Sequence, residues 1–372
     1  MVATSSSSAV ARITYLVSDV LVDSRPPLPA SSKFSSVFND LSEHHQTKPV
    51  FSLPSGADPG TTLSRYSSSS LVSYTASSQT ELLNRLLVHL PEFSSIPLVL
   101  HVVVEDDLSD VLVLRSTVPF FLFSRTPQQA HDNALLASRL ARLERKPVLH
   151  AFADAEGEVT EVEADKVPSF LLEESQAVVN GHVLPSDEYV PALFESYTSA
   201  AVTTSSFSKR RVQTFSEYGS SQPHTVVFTL GNPSFKFDVD GVLFIDISLV
   251  SPLPPSQLSG RIPPSTTRVL VVEQVRKWST KWTPLYLDVV GAIQQDERDS
   301  YPTTHSVTLD AHDSIHVSDI LKLLEQASSV SPSKRLQLGC ATVSKSASTA
   351  TPHVPKHESS YHKMRPRGSH AR

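Results

Sequence analysis

Cysteine is almost missing from this chain: Cys340 is the only one in 372 residues. An internal disulfide is therefore excluded, and so is a four-thiolate iron–sulfur centre built from these residues alone. Glycine is scarce too, with eleven in all, and no two stand closer than Gly56 and Gly60. Phosphate-cradling GxGxxG and GxxxxGK loops need clustered glycines, so that the backbone can turn tightly and approach phosphate; neither pattern occurs, nor does the GxSxG nucleophile elbow. Standard NADPH, ATP and flavin sites are thus unsupported. No apolar run approaches the ~18 residues needed to cross a bilayer. A cationic surplus is also lacking: 32 Lys and Arg against 38 Asp and Glu give a formal net charge of −6. That balance argues against a general nucleic-acid binder, whose phosphate contacts need Lys and Arg.

What is present is enough apolar residue, 39 %, to bury a core, in a chain long enough for two domains of ordinary size. The most informative stretch is residues 268–295, RVLVVEQVRKWSTKWTPLYLDVVGAIQQ. Its β-branched and Leu run 269–272 reads as a strand covered on both faces, ended by Glu273. Thr283 is placed to cap a helix with Pro284 at its first position, and Leu285, Val289 and Ile293 recur along one face. Upstream, 224–230 and 242–249 read as two further strands, the second leading into Pro252. In the first half, Ser78 and Glu81 make a capping box ahead of Leu82, Leu83, Leu86, Leu87 and Leu90. Residues 98–104 and 118–124 are strands by β-branched and aromatic content. Thr126, Pro127 and Gln129 then signal a helix start, and Ala130, Ala134, Ala137 and Ala141 form a small-residue stripe suited to lying close on a sheet. Strands alternating with helices imply right-handed crossovers and parallel sheets.

Three segments break the pattern. Residues 1–70 are Ser- and Pro-rich and aperiodic, and read as a poorly ordered lead. Residues 156–223 carry the acidic run Glu156, Glu158, Glu161 and Glu163, then basic text at Lys209, Arg210 and Arg211, and read as a linker with a solvated charged face. Residues 341–372 have almost no apolar content and read as a disordered tail, with a misread gene end as one explanation.

The wording and order of the two patterned blocks, 71–154 and 224–295, resemble pyruvate:ferredoxin oxidoreductases. The match is carried by LVSYTASSQTELL, PLVLHVVV, VPFFLFSRTPQQAHDNALLASRLA and KPVLHAF in the first block, and by TVVFTL, VLFIDISL and the helix opening PLYLDV in the second. It is narrower still with the degenerate oxidoreductase-like region of fungal-type NADPH-dependent assimilatory sulfite reductases. There the beta (haemoprotein) subunit is favoured over the flavoprotein subunit, because the PLVLHVVV-like strand is followed at once by an acidic turn, here Glu105, Asp106 and Asp107. The resemblance implies two Rossmann-like parallel-sheet domains on a thiamine-diphosphate-enzyme scaffold, at 71–155 and 224–340. It also implies a cytoplasmic role in reducing sulfite to sulfide for cysteine and methionine synthesis, with the other subunit or downstream redox domains as partners. The full family enzyme implies sirohaem, an iron–sulfur cluster, FMN, FAD and NADPH; this chain is expected to hold none of them, to bind neither nucleic acid nor membrane, and to be a fragment or shortened relative.

Family chemistry with thiamine diphosphate implies an activating Glu in the first domain and an Arg shortly after the His-Val pair of the PLVLHVVV-like strand. Here His101 and Val102 are followed by Val103, Val104 and Glu105, and Glu81 is better explained as half of a capping box. A live thiamine-dependent 2-oxoacid oxidoreductase domain and a free-standing interaction protein remain as alternatives. No catalytic, cofactor or metal residues are assigned. His101 and His150 interrupt apolar strands and read as hydrogen-bonded structural residues rather than bases. Asp310, His312, Asp313 and His316, like His353 and His357, have helical metal-ligand spacing but lack a supported third ligand. Trp278 and Trp282 flank Lys281 and are the candidate interface anchors, read more readily as packing.

Overall fold

Every strand expected from apolar runs forms, and most join one of two parallel sheets. The structure is a computed structural model that describes residues 1–25, 32–44, 48–66, 71–77, 86–172, 186–276, 281–309 and 315–338. A small antiparallel ribbon pairs β1 (Val2–Ser5) with β8 (Glu156–Val159). The first sheet contains β2 (Val20–Ser24), β3 (Val50–Leu53), β4 (Val72–Ser77), β5 (Leu98–Val104), β6 (Phe120–Ser124), β7 (Val148–Ala153) and β12 (Leu249–Ser251). Its order is β12-β6-β7-β5-β4-β2-β3. All its pairs are parallel except β12 against β6. The second sheet contains β9 (Phe215–Gly219), β10 (Thr225–Leu230), β11 (Val242–Ile247), β13 (Arg268–Glu273), β14 (Thr303–Leu309) and β15 (Leu336–Leu338). Its order is β15-β14-β13-β10-β11-β9, with only β9 antiparallel. The chain leaves β11 in the second sheet, enters β12 in the first and returns to the second at β13, so consecutive strands stitch the sheets together.

Burial explains the layers. One face of the first sheet, with Val99, Val103, Phe120 and Leu122, is covered by the helices Ser6–Val17 and Pro127–Glu144. The Ala stripe expected to lie close does so, with Ala130, Ala134, Ala137 and Ala141 all fully buried. The opposite face, with Leu98, Leu100, Val102 and Val104, shares one core with Val226, Phe228, Val269 and Val271 of the second sheet and with Leu285 and Val289 of the helix Pro284–Gln295. The far face of the second sheet packs on the helix Val317–Ser329 through Ile320 and Leu323.

Two expectations are corrected. The lead 1–70 is not poorly ordered in its described parts. Ser5 caps the helix Ser6–Val17 by accepting from Ser8 N, and β2 is inserted fully buried between β3 and β4. A Ser run at a helix start is capping chemistry, and a five-residue strand is too short to show periodicity. Nor is 156–223 a linker throughout. The helix Ser186–Ser208 packs Leu193, Tyr197 and Ala200 into the first core. Its Ser/Thr-rich text is compatible with a helix because Thr198, Thr203, Thr204 and Ser205 donate their hydroxyls to the carbonyls four residues back. The acidic residues Glu156, Glu158, Glu161 and Glu163 are exposed. The capping box of Ser78 and Glu81, with Leu82 and Leu83, lies outside the described residues, as do Trp278, Asp310, His312, Asp313, Cys340, His353 and His357.

Candidate functional site

Ligands of open parallel sheets sit at the carboxyl ends of the strands, and here the carboxyl ends of both sheets meet. Arg125 follows the last residue of β6 because the apolar run Phe120–Ser124 ends there, and it is almost fully buried, 6 % exposed. It donates Nη1 to the carbonyl of Ile247 and Nη2 to that of Thr229, each at 3.0 Å, at the ends of β11 and β10. Its Nε lies 4.0 Å from Asp246 Oδ2, whose partner oxygen accepts from the Thr229 hydroxyl. Burial draws the Arg125 guanidinium below its usual value, with Asp246 opposing.

A second bridge joins β5 to β13. Gln274 donates Nε2 to the Asp106 carbonyl at 3.0 Å, and its Oε1 accepts from Asn232 N at 2.6 Å. Leu108 N donates to the Gln274 carbonyl at 2.9 Å, and Arg276 N to Ser109 Oγ at 3.1 Å. The acidic turn is thereby used structurally: Asp107 accepts from Ser109 N at 2.7 Å, and Glu105 lies 3.7 Å from Lys33.

The two helix starts beside these edges are filled by carboxylates of the protein itself. Asp154, just beyond β7, accepts from Ser7 Oγ at 2.6 Å and Lys33 Nζ at 2.8 Å, at the start of the helix Ser6–Val17. Burial would raise its pKa, but the hydrogen bonds from Lys33 and Ser7 outweigh it and hold the carboxyl below the usual range. Glu273 ends β13 as expected, and then does more. It accepts from Leu285 N at 3.0 Å, Tyr286 N at 3.1 Å and the Thr283 hydroxyl. Thr283 occupies the cap position of the helix Pro284–Gln295, but its hydroxyl makes no capping bond, and Glu273 caps in its place. Complete burial raises Glu273 to about 7, against those three hydrogen bonds and the charge of Arg115. Helix starts attract anions, so a ligand phosphate at either place would meet a carboxylate already seated.

The histidines stand elsewhere. His101 and His150 are in register on β5 and β7, with their Nδ1 atoms 3.1 Å apart. They share the helix-covered face with Val99, Val103 and Phe152 rather than the strand ends. His150 Nε2 lies 2.9 Å from Ser124 Oγ, which accepts from Asn133 Nδ2 at 2.8 Å. His101 Nε2 has no partner among the described residues. Burial holds His101 down at about 3, and burial together with His101 holds His150 well below its usual value, so both are neutral. His316 caps the helix Val317–Ser329 together with Asp319, which accepts from His316 N at 3.0 Å. Trp282 stacks on Tyr286 at 5.0 Å, with Lys281 Nζ 4.4 Å from its ring centroid.

No family model matches the chain. It is 24 % identical over 302 residues to sulfite reductase [NADPH] subunit beta of Schizosaccharomyces pombe, covering 74 % of this chain and 20 % of that protein. It is 23 % identical over 227 residues to pyruvate-flavodoxin oxidoreductase of a Nostoc species, covering 51 % of this chain and 55 % of that protein. In structure it superposes on a 2-oxoglutarate:ferredoxin oxidoreductase from Magnetococcus marinus with a TM-score of 0.54 at 10 % identity, over 88 % of this chain and 65 % of that one. The fold is oxidoreductase-like, of the 2-oxoacid:ferredoxin kind. The chain spans a fifth and about half of the lengths of the two relatives it matches by sequence.

Among the described residues no group of three His, Cys, Asp or Glu is placed to hold a metal ion. The helix starts hold Asp154 and Glu273. No described helix is long and apolar enough to cross a membrane. Arg125, Glu273, Gln274 and Asp246 were not singled out by the sequence as junction residues. The signal that finds them is a polar residue at or just past the end of a buried parallel strand.

Proposed function

We propose that this chain is a non-catalytic scaffold, the 2-oxoacid-oxidoreductase-like region of an NADPH-dependent sulfite reductase of the beta-subunit type. The observation that carries this is the closed junction: Arg125 and Gln274 bond across the strand ends where a substrate or cofactor would lie, and the adjoining helix starts hold Asp154 and Glu273. The length of the alignment with sulfite reductase subunit beta supports the assignment to sulfite rather than 2-oxoacid metabolism. In this role the fold serves as a rigid block that holds redox modules of the same assembly, with Trp282 and, one residue beyond Tyr286, the exposed Leu287 facing them. The sirohaem, iron–sulfur, flavin and NADPH sites belong to those modules.

The test is titration calorimetry of the full chain with Mg²⁺ and thiamine diphosphate, together with co-elution against the flavoprotein subunit and haemoprotein domains of a fungal sulfite reductase. The proposal expects no saturable heat with thiamine diphosphate, and a stoichiometric complex that Trp282→Ala weakens. Saturable thiamine diphosphate binding without complex formation would instead establish a live 2-oxoacid oxidoreductase domain.

A further inference from the structure

Away from the junction, the basic text at Lys209, Arg210 and Arg211 borders an open groove of about 730 Å³. One wall is the end of the helix Ser186–Ser208, with Ala201 and Val202, and the other is the returning chain, with Arg211 and Val212. Val202 is 62 % exposed, so an apolar side chain stands uncovered in the groove. The Ser205 hydroxyl does not make this wall polar, because it donates to the Ala201 carbonyl and accepts from Val212 N at 2.9 Å. Lys209 stands at the mouth in the left-handed region, φ 58°, the place after a helix that Gly usually takes. The three cations differ in what they meet. Arg210 is committed to Asp132, donating Nε and Nη2 to its two carboxylate oxygens at 2.8 and 2.7 Å. Lys209 and Arg211 are exposed and pair with no carboxylate among the described residues. In a chain of net charge −6 this is a local excess of positive charge beside uncovered apolar surface.

The complementary charge lies across one residue. Gln128, on the helix Pro127–Glu144, lines the continuation of the groove together with Arg210 and Arg211. Its amide also holds the end of the β8 ribbon: Oε1 accepts from Thr160 N at 2.7 Å, and Nε2 donates to the Thr160 carbonyl at 3.4 Å. Gly157 of β8 faces Pro127, where a Cβ would come within 3.3 Å of the ring. Glu156 and Glu158, on either side of it, face the opposite way by the alternation of a strand. Both are exposed and pair with no cation among the described residues. Ala3, the cross-strand partner of Glu158, is exposed on that same face, so the ribbon offers apolar surface as well as charge.

We propose that this face is the contact of a symmetric dimer. The ribbon of a second copy, with Glu156 and Glu158, lies against Lys209 and Arg211 of the first, and the first copy's ribbon lies against the groove of the second. A two-fold contact must be self-complementary. A basic groove beside an acidic ribbon meets that requirement, because the rotation that seats one ribbon seats the other. The ion pairs set orientation and encounter rate, while cover over Val202 and Val212 provides the hold. Nucleic acid is disfavoured, since two free cations next to two free carboxylates neutralise little phosphate. The contact is independent of the scaffold role, because none of these residues takes part in the junction or in the surface around Trp282.

The test is sedimentation velocity of the full chain over a range of concentrations, with two variants that change only exposed residues: Lys209→Glu with Arg211→Glu, and Glu156→Lys with Glu158→Lys. The proposal expects a concentration-dependent dimer that weakens about ten-fold between ~0.1 and ~0.5 M salt, as screening shortens the reach of exposed charges. Each double variant is monomeric alone, with an unchanged circular dichroism spectrum. Mixed in equal amounts, the two form a dimer containing one of each, because both contacts are then restored with reversed signs. Val202→Arg, which keeps the groove cationic but places a charge among its apolar residues, also weakens the dimer. A wild-type chain that stays monomeric, a dimer indifferent to salt, or folded variants that fail to pair on mixing each overturns the proposal. A monomeric chain that binds a labelled single-stranded oligonucleotide, and loses it on Lys209→Glu with Arg211→Glu, overturns it in favour of nucleic acid.

Discussion

Arg125 of the first sheet donates to the carbonyl of Thr229 in the second sheet at 3.0 Å. With its bond to the Ile247 carbonyl, the guanidinium ties two strand ends to a third across the junction. Replacement by Ala leaves two buried carbonyls and Asp246 without this partner. A loss of about 3 kcal/mol is expected, the scale of breaking a buried charged network on one side. Because both tryptophans, Trp278 and Trp282, lie in the second half of the chain, their fluorescence reports that half while circular dichroism reports the whole. Wild-type transitions in urea should coincide. In Arg125→Ala they should separate, and coincident transitions at an unchanged midpoint would show that Arg125 does not couple the sheets.

Glu273 gives a pH signature of opposite sign to the usual carboxylate. Burial raises it to about 7 in the folded protein against its ordinary value of 4.5, so the folded state holds the proton more tightly. Its contribution to stability is fully present below the unfolded pKa, falls as pH rises from about 4.5 to 7, and is constant above. The size is about 3 kcal/mol over that window. Glu273→Gln keeps one acceptor oxygen, enough for only one of Leu285 N and Tyr286 N, which bond different oxygens, and it does not titrate, so it lowers stability by a pH-independent amount. Urea unfolding at several pH values should show the variant gaining on wild type between pH 5 and 7, whereas parallel profiles would mean that Glu273 is ionised throughout.

The Ala stripe sets the distance between the helix Pro127–Glu144 and the first sheet. Ala134 has no exposed surface and sits in the same core as Val99, Phe120 and Leu140. Ala134→Leu adds three carbons where there is no room, so it is expected to destabilise by about 2 kcal/mol or more. Ala→Leu at an exposed site would be close to neutral on propensity alone. Thermal unfolding of Ala134→Leu at or above the wild-type midpoint would show that the helix stands further off than the stripe implies.

Long apolar runs made the strands legible: 98–104, 118–124, 224–230, 242–249 and 269–272 all contain or overlap observed strands. Caps with a Pro at the first turn made the starts at Thr126 and Pro284 legible too. The unread parts share a cause. Helices such as Ser6–Val17 and Ser186–Ser208 bury Ser, Thr and Ala alongside few large apolar residues, so composition pointed to loop while tertiary packing decided for helix. The junction was illegible for a different reason. The bonds of Arg125 to Thr229 and Ile247 span more than a hundred residues of sequence, and neither local pattern nor spacing encodes such a meeting. Glu273 was read as a strand terminator, but its partners lie beyond an intervening loop, where only the fold brings the helix start back onto it.

The pair of His101 and His150 turns buried packing into acid sensitivity. Both are fully buried and held neutral, His101 at about 3 and His150 well below its usual value. In the unfolded chain each titrates near 6.5, so the unfolded state binds protons that the folded state refuses. Stability from this source is therefore complete above about pH 6.5 and is lost as pH falls below it. Two such groups cost about 2 kcal/mol between pH 6 and 5. This trend opposes that of Glu273 in the same range, so the wild-type profile mixes them and variants must separate them. In the Glu273→Gln background, the fall between pH 6 and 5 should stand alone. Adding His101→Asn and His150→Asn should flatten it even though the double replacement lowers stability at every pH. A direct check is the imidazole Cε1–H resonance of each residue, which should not shift between pH 8 and 5. Titration of either ring near 6.5 in the native protein would show that the pair is hydrated and that its register on β5 and β7 does not shield it.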